Sequence, residues 1–243
     1  MIPESHPRYR SLMTRERMAN AARNGVVALE GLTAHGRGEA FDYLLGEQTS
    51  ESAARAEKIA AALFMTALHP VISVNGNTAA LCADAIAELQ QATGALVEVN
   101  LFHRTDERLT SITTILSNAG CTVLDGPTDR FIPLDHDRGI CHENGIAAAD
   151  VILVPLEDGD RASVLIGMGK KVITIDLNPL SRTTQVATLP IIDEVTRALP
   201  QITSAYKTMN IMQARDLIQN LDARSFINDS IRTIQERLAN VLD

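Results

Sequence analysis

The sequence has no tryptophan, and aromatic residues as a class make up only 3% of its 243 residues. Any core must therefore be built from aliphatic side chains, and a hydrophobic content of 45% is enough for one. No apolar run approaches the roughly 20 residues of a membrane-spanning helix. The first segment, MIPESHPRYRSLMTRER, also lacks the apolar centre of a signal peptide. We therefore expect a protein that does not bind membranes.

Cysteine and positive charge are scarce as well. The thiols Cys82, Cys121 and Cys141 are odd in number and too widely spaced for a disulfide framework or a CxxC pair. We expect them to be buried in a protein of the reducing cytoplasm. The net charge of -8 argues against a nucleic-acid partner, because phosphate backbones require a basic face. A few arginines can still form a local pocket for a small anion.

Short apolar runs alternate with amphipathic segments through the middle of the chain. The runs occupy residues 71–74, 96–99, 121–124, 151–156, 171–177 and 189–192. A continuous run such as VILVPL (151–156) is typical of a strand that is buried on both faces of a parallel sheet. Segments between the runs, such as TDERLTSITTILSNAG (105–120), predict crossover helices. The alternation predicts an α/β fold with a doubly wound, mainly parallel sheet.

Helices are predicted on both sides of this core. Pro7 and Gly25 suit the two ends of a first helix, and Thr49 or Ser50 suits the N-cap of a second. The segment between them, TAHGRGEAFDYLLGE (33–47), is predicted to be a glycine-rich loop. We predict a single domain with N-terminal helices and the glycine loop over 1–68, a core over 69–199 and a C-terminal helical cap over 200–243.

Ligands of open α/β sheets bind beyond the carboxyl ends of the strands, so those ends are where a site is expected. The strand over 171–177 contains Asp176, whose carboxylate can accept hydrogen bonds from ribose hydroxyls. Arg182 and Thr183 follow at the next turn, where a guanidinium and a hydroxyl suit a phosphate. An Asp-Asn cap beside a surface arginine explains the same residues equally well.

Two other segments offer phosphate-binding chemistry. Asn75 and Gly76 follow the strand over 71–74, and a glycine turn there can bring helix amides to a phosphate. Ordinary turn chemistry explains Asn-Gly as well, and neither GxGxxG nor a P-loop is present. In the glycine loop, Arg37 lies between Gly36 and Gly38, which let a ligand approach the backbone, and its guanidinium is a candidate oxyanion clamp.

No metal site is predicted from the sequence. The turn over 157–160 offers three carboxylates that can hold Mg²⁺, but a solvated strand-to-helix turn is an equal alternative. His136, Cys141 and His142 lack a standard zinc spacing, and neighbouring Cys and His side chains do not easily point at one ion.

Several long segments together resemble one family. IPESHPRYRSL, AHGRGEAFDYLLGE, VISVNGN, EVNLFHRTDER, ADVILVPLEDGDR and GKKVITIDLNPLSRT are similar to the archaeal 4-phosphopantoate–β-alanine ligases, or phosphopantothenate synthetases. The resemblance runs from residue 2 to about residue 200 and is weaker in the helical tail. It implies a homodimer with a Rossmann-like core and added helices. The implied activity is an ATP-dependent ligase of coenzyme A biosynthesis, which joins 4-phosphopantoate to β-alanine and gives 4′-phosphopantothenate, AMP and diphosphate.

The resemblance also implies where the ligands bind. The positions that match the family's ATP contacts are Arg15, Arg37, Asp176, Leu177, Asn178, Arg182, Thr183, Glu194 and Val195. Arg37 would hold nucleotide phosphate as the catalytic cation, and Mg²⁺ is expected with ATP. His35, together with Glu39, and Asn75 are candidates for organising the organic substrates. Glu194 departs from the pattern, because similar sequences tend to have an amide there.

Two alternatives remain open at this point. A dehydrogenase could use Asp176 for the ribose, although the missing GxGxxG near an early strand counts against it. A nucleotide-sensing protein without turnover is also compatible, because a Rossmann-like fold does not fix function.

Overall fold

A computed structural model describes residues 2–156 and 159–240 of the chain. Its strands are β1 (Pro70–Val74), β2 (Leu96–Val99), β3 (Asp129–Arg130), β4 (Ile140–Cys141), β5 (Val151–Pro155), β6 (Lys171–Ile175) and β7 (Leu189–Ile191). Among the described residues, the main sheet has five strands in the order β2-β1-β5-β6-β7. All of its neighbouring strands pair in parallel. β3 and β4 form a separate short antiparallel hairpin.

Helices account for most of the remaining described chain. They are α1 (Tyr9–Arg23), α2 (Leu29–Leu45), α3 (Glu51–Thr66), α4 (Gly76–Thr93), α5 (Asp106–Asn118), α6 (Gly159–Gly167), α7 (Arg182–Val186), α8 (Val195–Thr208), α9 (Ile211–Gln219) and α10 (Ala223–Ala239). Within residues 2–156 and 159–240, no helix is long and apolar enough to cross a membrane.

Aliphatic side chains cover both faces of the main sheet. Successive residues of a strand point to opposite faces, so Leu153 of β5 joins one buried cluster while Ile152 joins another. The first cluster includes residues of α3, α4, α5 and α8, and the second includes residues of α6. Each of the five residues of β5 is buried. The expected α/β fold with a doubly wound parallel sheet is therefore confirmed.

The predicted glycine loop over 33–47 is wrong, because most of it belongs to α2. A glycine inside a helix costs only about 1 kcal/mol relative to alanine, and the alanines, leucines and glutamates around Gly36 and Gly38 favour a helix. Burial of Leu45 and the ion pair between Asp42 and Arg197 stabilise it further. The helix ends where Gly46 takes a left-handed conformation with φ 100°, as helix C-termini commonly do.

Three smaller differences concern the ends of elements. α1 begins at Tyr9, two residues after the predicted start at Pro7, whereas Gly25 follows its end at φ 72° as expected. Ser50 is the N-cap of α3, and its hydroxyl accepts a 3.1 Å hydrogen bond from the Ala53 amide. The predicted strand over 121–124 forms a single bridge to β2, because the amides of residues 121 and 122 bond to Leu116 and Gln90 instead.

Candidate functional site

A cavity of about 370 Å³, here called the main cavity, opens at the carboxyl ends of the strands. Leu156, Asp176 and Asp193, which follow β5, β6 and β7, line it, and α2 contributes another wall. β1 pairs with β2 on one edge and with β5 on the other, so the strand order reverses between β1 and β5. The cavity lies at this topological switch point, where α/β folds bind ligands. It contains eight of the predicted site residues: His35, Arg37, Asn75, Asp176, Leu177, Asn178, Glu194 and Val195.

The segment after β6 folds back on itself through side-chain hydrogen bonds. The Asn178 amide donates to Oδ1 of Asp176 at 2.9 Å, and the Leu180 amide donates to Oδ1 of Asn178 at 2.9 Å. Burial raises the pKa of Asp176, while hydrogen bonds from Ser181 and Asn178 and the charge of Arg37 act in the opposite direction. Asp176 is thus a half-buried acceptor at the cavity wall, held in position by these hydrogen bonds.

Asn75, which follows β1, connects the carboxyl ends of β1 and β5. Its Nδ2 donates to the carbonyls of Pro155 at 2.9 Å and Leu156 at 3.1 Å, and its Oδ1 accepts from the Thr78 amide at 3.0 Å. The side chain therefore caps α4 and joins β1 to β5. Gly76 is needed beside it, because a Cβ there would lie 2.2 Å from the Val26 carbonyl oxygen.

α2 places a cation and an imidazole at the cavity. Arg37 is exposed and has no hydrogen bond or ion pair with other described residues, so its guanidinium is available for a ligand. His35 is half-buried, and burial lowers its pKa although the nearby carboxylate of Glu39 raises it. Burial therefore favours the neutral imidazole, which can accept a proton.

Glu194 and Val195 lie where β7 leads into α8. Glu194 is the N-cap of α8, and its Oε2 accepts hydrogen bonds from the Thr196 amide at 2.7 Å and from the Thr196 hydroxyl. Burial raises the pKa of Glu194, and the bonds from Thr196 lower it. An amide oxygen at this position would supply the same helix cap.

Four predicted residues, Arg15, Glu39, Arg182 and Thr183, lie away from the lining of the main cavity. Arg15 of α1 donates through Nε to both carboxylate oxygens of Glu39, at 2.8 and 2.9 Å. Arg182 is largely exposed and pairs with Asp160, and Thr183 is buried in the first turn of α7. A second cavity of about 590 Å³ adjoins the first, shares His35, Leu177 and Glu194 with it, and extends towards α1.

Two arginines and a histidine that the sequence did not reveal as site residues also line the main cavity. These are Arg108, Arg138 and His103, which lie beside Gly76 at the start of α4. The carboxyl end of β2 leads to His103 and Arg108, so a search of every strand end would have found them. Arg138 lies in the connection between β3 and β4, and no sequence pattern places it near the main sheet.

No metal-ligating group is formed by the residues that the structure describes. Nowhere among them do three or more His, Cys, Asp or Glu side chains come close enough to hold an ion. Cys141 is buried, and burial raises the pKa of its thiol to about 11, so the thiolate that a metal requires is disfavoured. Glu157 and Asp158, which belong to the possible Mg²⁺ turn, lie outside the described residues.

Comparison with known proteins identifies the family. Residues 52–237 match the family model described as phosphopantothenate/pantothenate synthetase. The chain belongs to this family. The match covers the whole main sheet and α3 to α9, and it confirms the resemblance seen in the sequence motifs.

Full-length relatives extend the similarity to α1 and α2, which precede the matched range. A 4-phosphopantoate–β-alanine ligase of Methanospirillum hungatei is 63% identical over 243 residues, which cover 100% of both chains. A 4-phosphopantoate–β-alanine ligase of Methanosarcina mazei is 48% identical and covers 98% of this chain and 95% of its own. The 4-phosphopantoate–β-alanine ligase of Thermococcus kodakarensis is 46% identical and covers 100% of this chain and 95% of its own.

Proposed function

We propose that the protein is an ATP-dependent ligase of coenzyme A biosynthesis, which condenses 4-phosphopantoate with β-alanine. The products are 4′-phosphopantothenate, AMP and diphosphate. The observation that carries the proposal is the arrangement of the main cavity, where Asp176, Arg37 and Glu194 converge from three separate segments. The shared name of relatives that match the full chain supports the choice of substrates.

In this proposal the nucleotide binds to the part of the main cavity that is formed by α2 and by the residues after β6 and β7. Asp176 accepts hydrogen bonds from the ribose, while Leu177, Asn178, Glu194 and Val195 surround the base. Arg37 supplies positive charge to the phosphates. Its neighbour Gly38 leaves space beside Leu177, whose Cδ1 would lie 3.8 Å from an added Cβ.

Arg15, Arg182 and Thr183 extend this nucleotide site in the proposal. Arg15 is bound to Glu39 and Arg182 to Asp160, so each must exchange a carboxylate for a phosphate oxygen to contact ATP. Both pairs are partly exposed, and such pairs contribute little to stability, so the exchange is energetically accessible.

The proposed reaction has two steps. The carboxylate of phosphopantoate attacks the α-phosphorus of ATP, which breaks the bond to the β-phosphate oxygen and releases diphosphate. The amine of β-alanine then attacks the acyl adenylate, the amide bond forms and AMP leaves. Arg37 stabilises the negative charge at the transferring phosphorus, and the neutral imidazole of His35 can take up the proton that the amine loses.

Mg²⁺ is proposed to accompany ATP. Proteins usually hold this ion through one or two carboxylates together with substrate phosphates and water. No carboxylate is assigned to the ion, because Glu30, which lines the main cavity without a hydrogen bond to other described residues, lies close enough to Arg108 for its charge to raise the pKa of that arginine. When bound, the ion would supply charge neutralisation on the phosphates.

We also propose a cytoplasmic homodimer. The three cysteines are buried and unpaired in the described part of the chain, which suits a reducing compartment. Several large apolar side chains are exposed in the single chain, including Leu29, Leu68 and Met212. Sedimentation equilibrium should give twice the 26.3 kDa mass of one chain.

The decisive experiment is product analysis with purified protein, Mg²⁺, ATP, 4-phosphopantoate and β-alanine. We expect the mass of 4′-phosphopantothenate and continuous release of diphosphate, over many turnovers, that requires both organic substrates. A nucleotide-sensing protein would bind ATP without turnover, and a dehydrogenase would transfer hydride to NAD instead. Continuous diphosphate release over many turnovers without either organic substrate would contradict the proposed ligase.

A further inference from the structure

One end of the main cavity, here called the basic end, is formed by Arg108, Arg138, His103 and the start of α4 at Gly76. Arg108 comes from the first turn of α5. Its Nη1 donates to the His103 carbonyl and its Nη2 donates to the Val26 carbonyl at 3.2 Å. The guanidinium also lies against α4, since Nη2 would be 3.2 Å from a Cβ on Gly76.

The Arg108 guanidinium retains a free donor inside the protein. Its Nε is buried and has no hydrogen-bond partner among the described residues. No described carboxylate forms an ion pair with it either. A buried guanidinium donor without an acceptor is unfavourable, and a ligand that accepts a hydrogen bond would relieve this cost.

Arg138 brings a second cation to the same place. It is 93% buried, with 7% of its surface exposed, and its Nη1 donates to the Asn100 carbonyl at 3.3 Å. Both arginines line the main cavity, and burial and the charge of Arg138 lower the pKa of Arg108 while the charge of Glu30 raises it. Like charges held close together in a cavity favour an anion between them.

The start of α4 adds to this positive potential. The positive end of the α4 dipole faces the cavity at Gly76 and Asn77, although the non-helical backbone of Cys82 interrupts the helix after its first turns. The residues assigned to the nucleotide lie on α2 and after β6 and β7, towards the edge of the sheet opposite β2. An organic acid lying between these residues and the basic end would point its carboxylate towards Arg37.

We propose that the basic end binds the phosphate monoester of the organic acid and that Arg108 selects the phosphorylated acid over its unphosphorylated form. This inference rests on the proposed ligase function. A phosphate monoester carries nearly two negative charges at pH 7 and accepts several hydrogen bonds, whereas the hydroxyl of the unphosphorylated acid offers neither.

The test compares Arg108→Gln and Arg108→Lys with the wild type, using 4-phosphopantoate and unphosphorylated pantoate. For Arg108→Gln we expect kcat/KM with phosphopantoate to fall by roughly 10- to 100-fold, the scale of a lost charged hydrogen bond. The value for pantoate and the KM for ATP should change by no more than about twofold, so selectivity collapses. Arg108→Lys should recover part of the loss, because lysine keeps the charge without the guanidinium fork.

Arg104→Gln is the matched control. Arg104 lies four positions earlier, donates through Nη2 to the Thr128 hydroxyl at 3.2 Å, and does not line the main cavity. The control removes the same charge and should leave selectivity unchanged. Unchanged selectivity in Arg108→Gln, or a rise in the KM for ATP without a change for the acid, would overturn the proposal.

Inhibition of the wild-type protein by inorganic phosphate provides a second test. Inorganic phosphate should inhibit the wild type competitively against phosphopantoate and non-competitively against ATP. Competition with ATP alone would assign the basic end to the nucleotide. If the wild type makes no amide at all, the proposed function fails. Calorimetric binding of inorganic phosphate, lost in Arg108→Gln and kept in Arg104→Gln, would then still support an anion site.

Discussion

Arg197 of α8 donates through Nη2 to Oδ1 of Asp42 in α2 at 2.6 Å, across 155 positions of the sequence. The same Nη2 lies 2.6 Å from Oδ1 of Asp193, which follows β7. The contact fastens α2, the helix that carries His35 and Arg37, to the end of the sheet where Glu194 begins α8. Two parts of the candidate site are thus held in register by one guanidinium.

Replacing Arg197 with glutamine should destabilise the fold by about 2–3 kcal/mol, because the buried carboxylates of Asp42 and Asp193 would lose their cation. The estimate is at the lower end for a buried pair, since 22% of the Arg197 side chain is exposed. Urea unfolding measures the change. Arg232→Gln, which removes a surface pair with Asp229, is the control and should cost less than about 1 kcal/mol. Equal losses of unfolding free energy in the two variants would contradict this role of Arg197.

Glu57 gives the fold a pH dependence. Burial and the neighbouring Asp193 carboxylate raise the pKa of Glu57 from 4.5 to about 9. Between these values the unfolded chain loses a proton that the folded chain keeps, so the stability contribution of Glu57 falls as the pH rises. Glu57→Gln has no such proton, and its stability relative to the wild type should increase from about pH 5 to pH 8. Parallel pH profiles of the urea unfolding free energy would refute this explanation.

Arg37→Ala should lower kcat/KM for ATP by an amount equivalent to roughly 2–4 kcal/mol, the scale of a lost charged transition-state donor. Its thermal midpoint should not change, because Arg37 is exposed and bonds to no other described residue. Arg23→Ala, on the exposed part of α1, provides the control. Wild-type rates at both low and saturating ATP would remove Arg37 from the site.

Asp176→Asn should raise the KM for ATP and leave kcat nearly unchanged, because ribose contacts persist in the ground and transition states alike. Initial rates with each substrate varied in turn separate the two parameters. A rise in the KM for β-alanine, with constant ATP affinity, would show that the nucleotide lies at the other end of the main cavity.

The sheet and its strand ends were predictable because they depend on local patterns. Buried runs such as Val151–Pro155 identify central strands, and the switch-point rule then directs attention to Asp176. α2 was missed because its glycines resemble a loop, whereas packing of its Asp42 and Leu45 against distant segments decides for a helix. Arg108 and Arg138 approach each other only in the folded chain, so no spacing in the sequence reveals the basic end.

The last prediction concerns the order of bond formation. The sequence has no P-loop to grip the β- and γ-phosphates, as transfer of the γ-phosphoryl group would favour. The acid should therefore be activated as an adenylate. With phosphopantoate, ATP and labelled diphosphate but no β-alanine, the protein should exchange label into ATP. Arg37→Ala should slow this exchange, because the first step uses that cation.

Oxygen labelling tests the same intermediate independently. When the carboxylate of phosphopantoate carries ¹⁸O, attack on the α-phosphorus transfers one labelled oxygen to AMP after β-alanine is added. An acyl phosphate formed at the γ-phosphorus would instead put the label in inorganic phosphate and yield ADP. Label in phosphate would overturn the adenylate route but not the amide-forming activity, because both routes end in attack of the β-alanine amine on an activated carboxyl group.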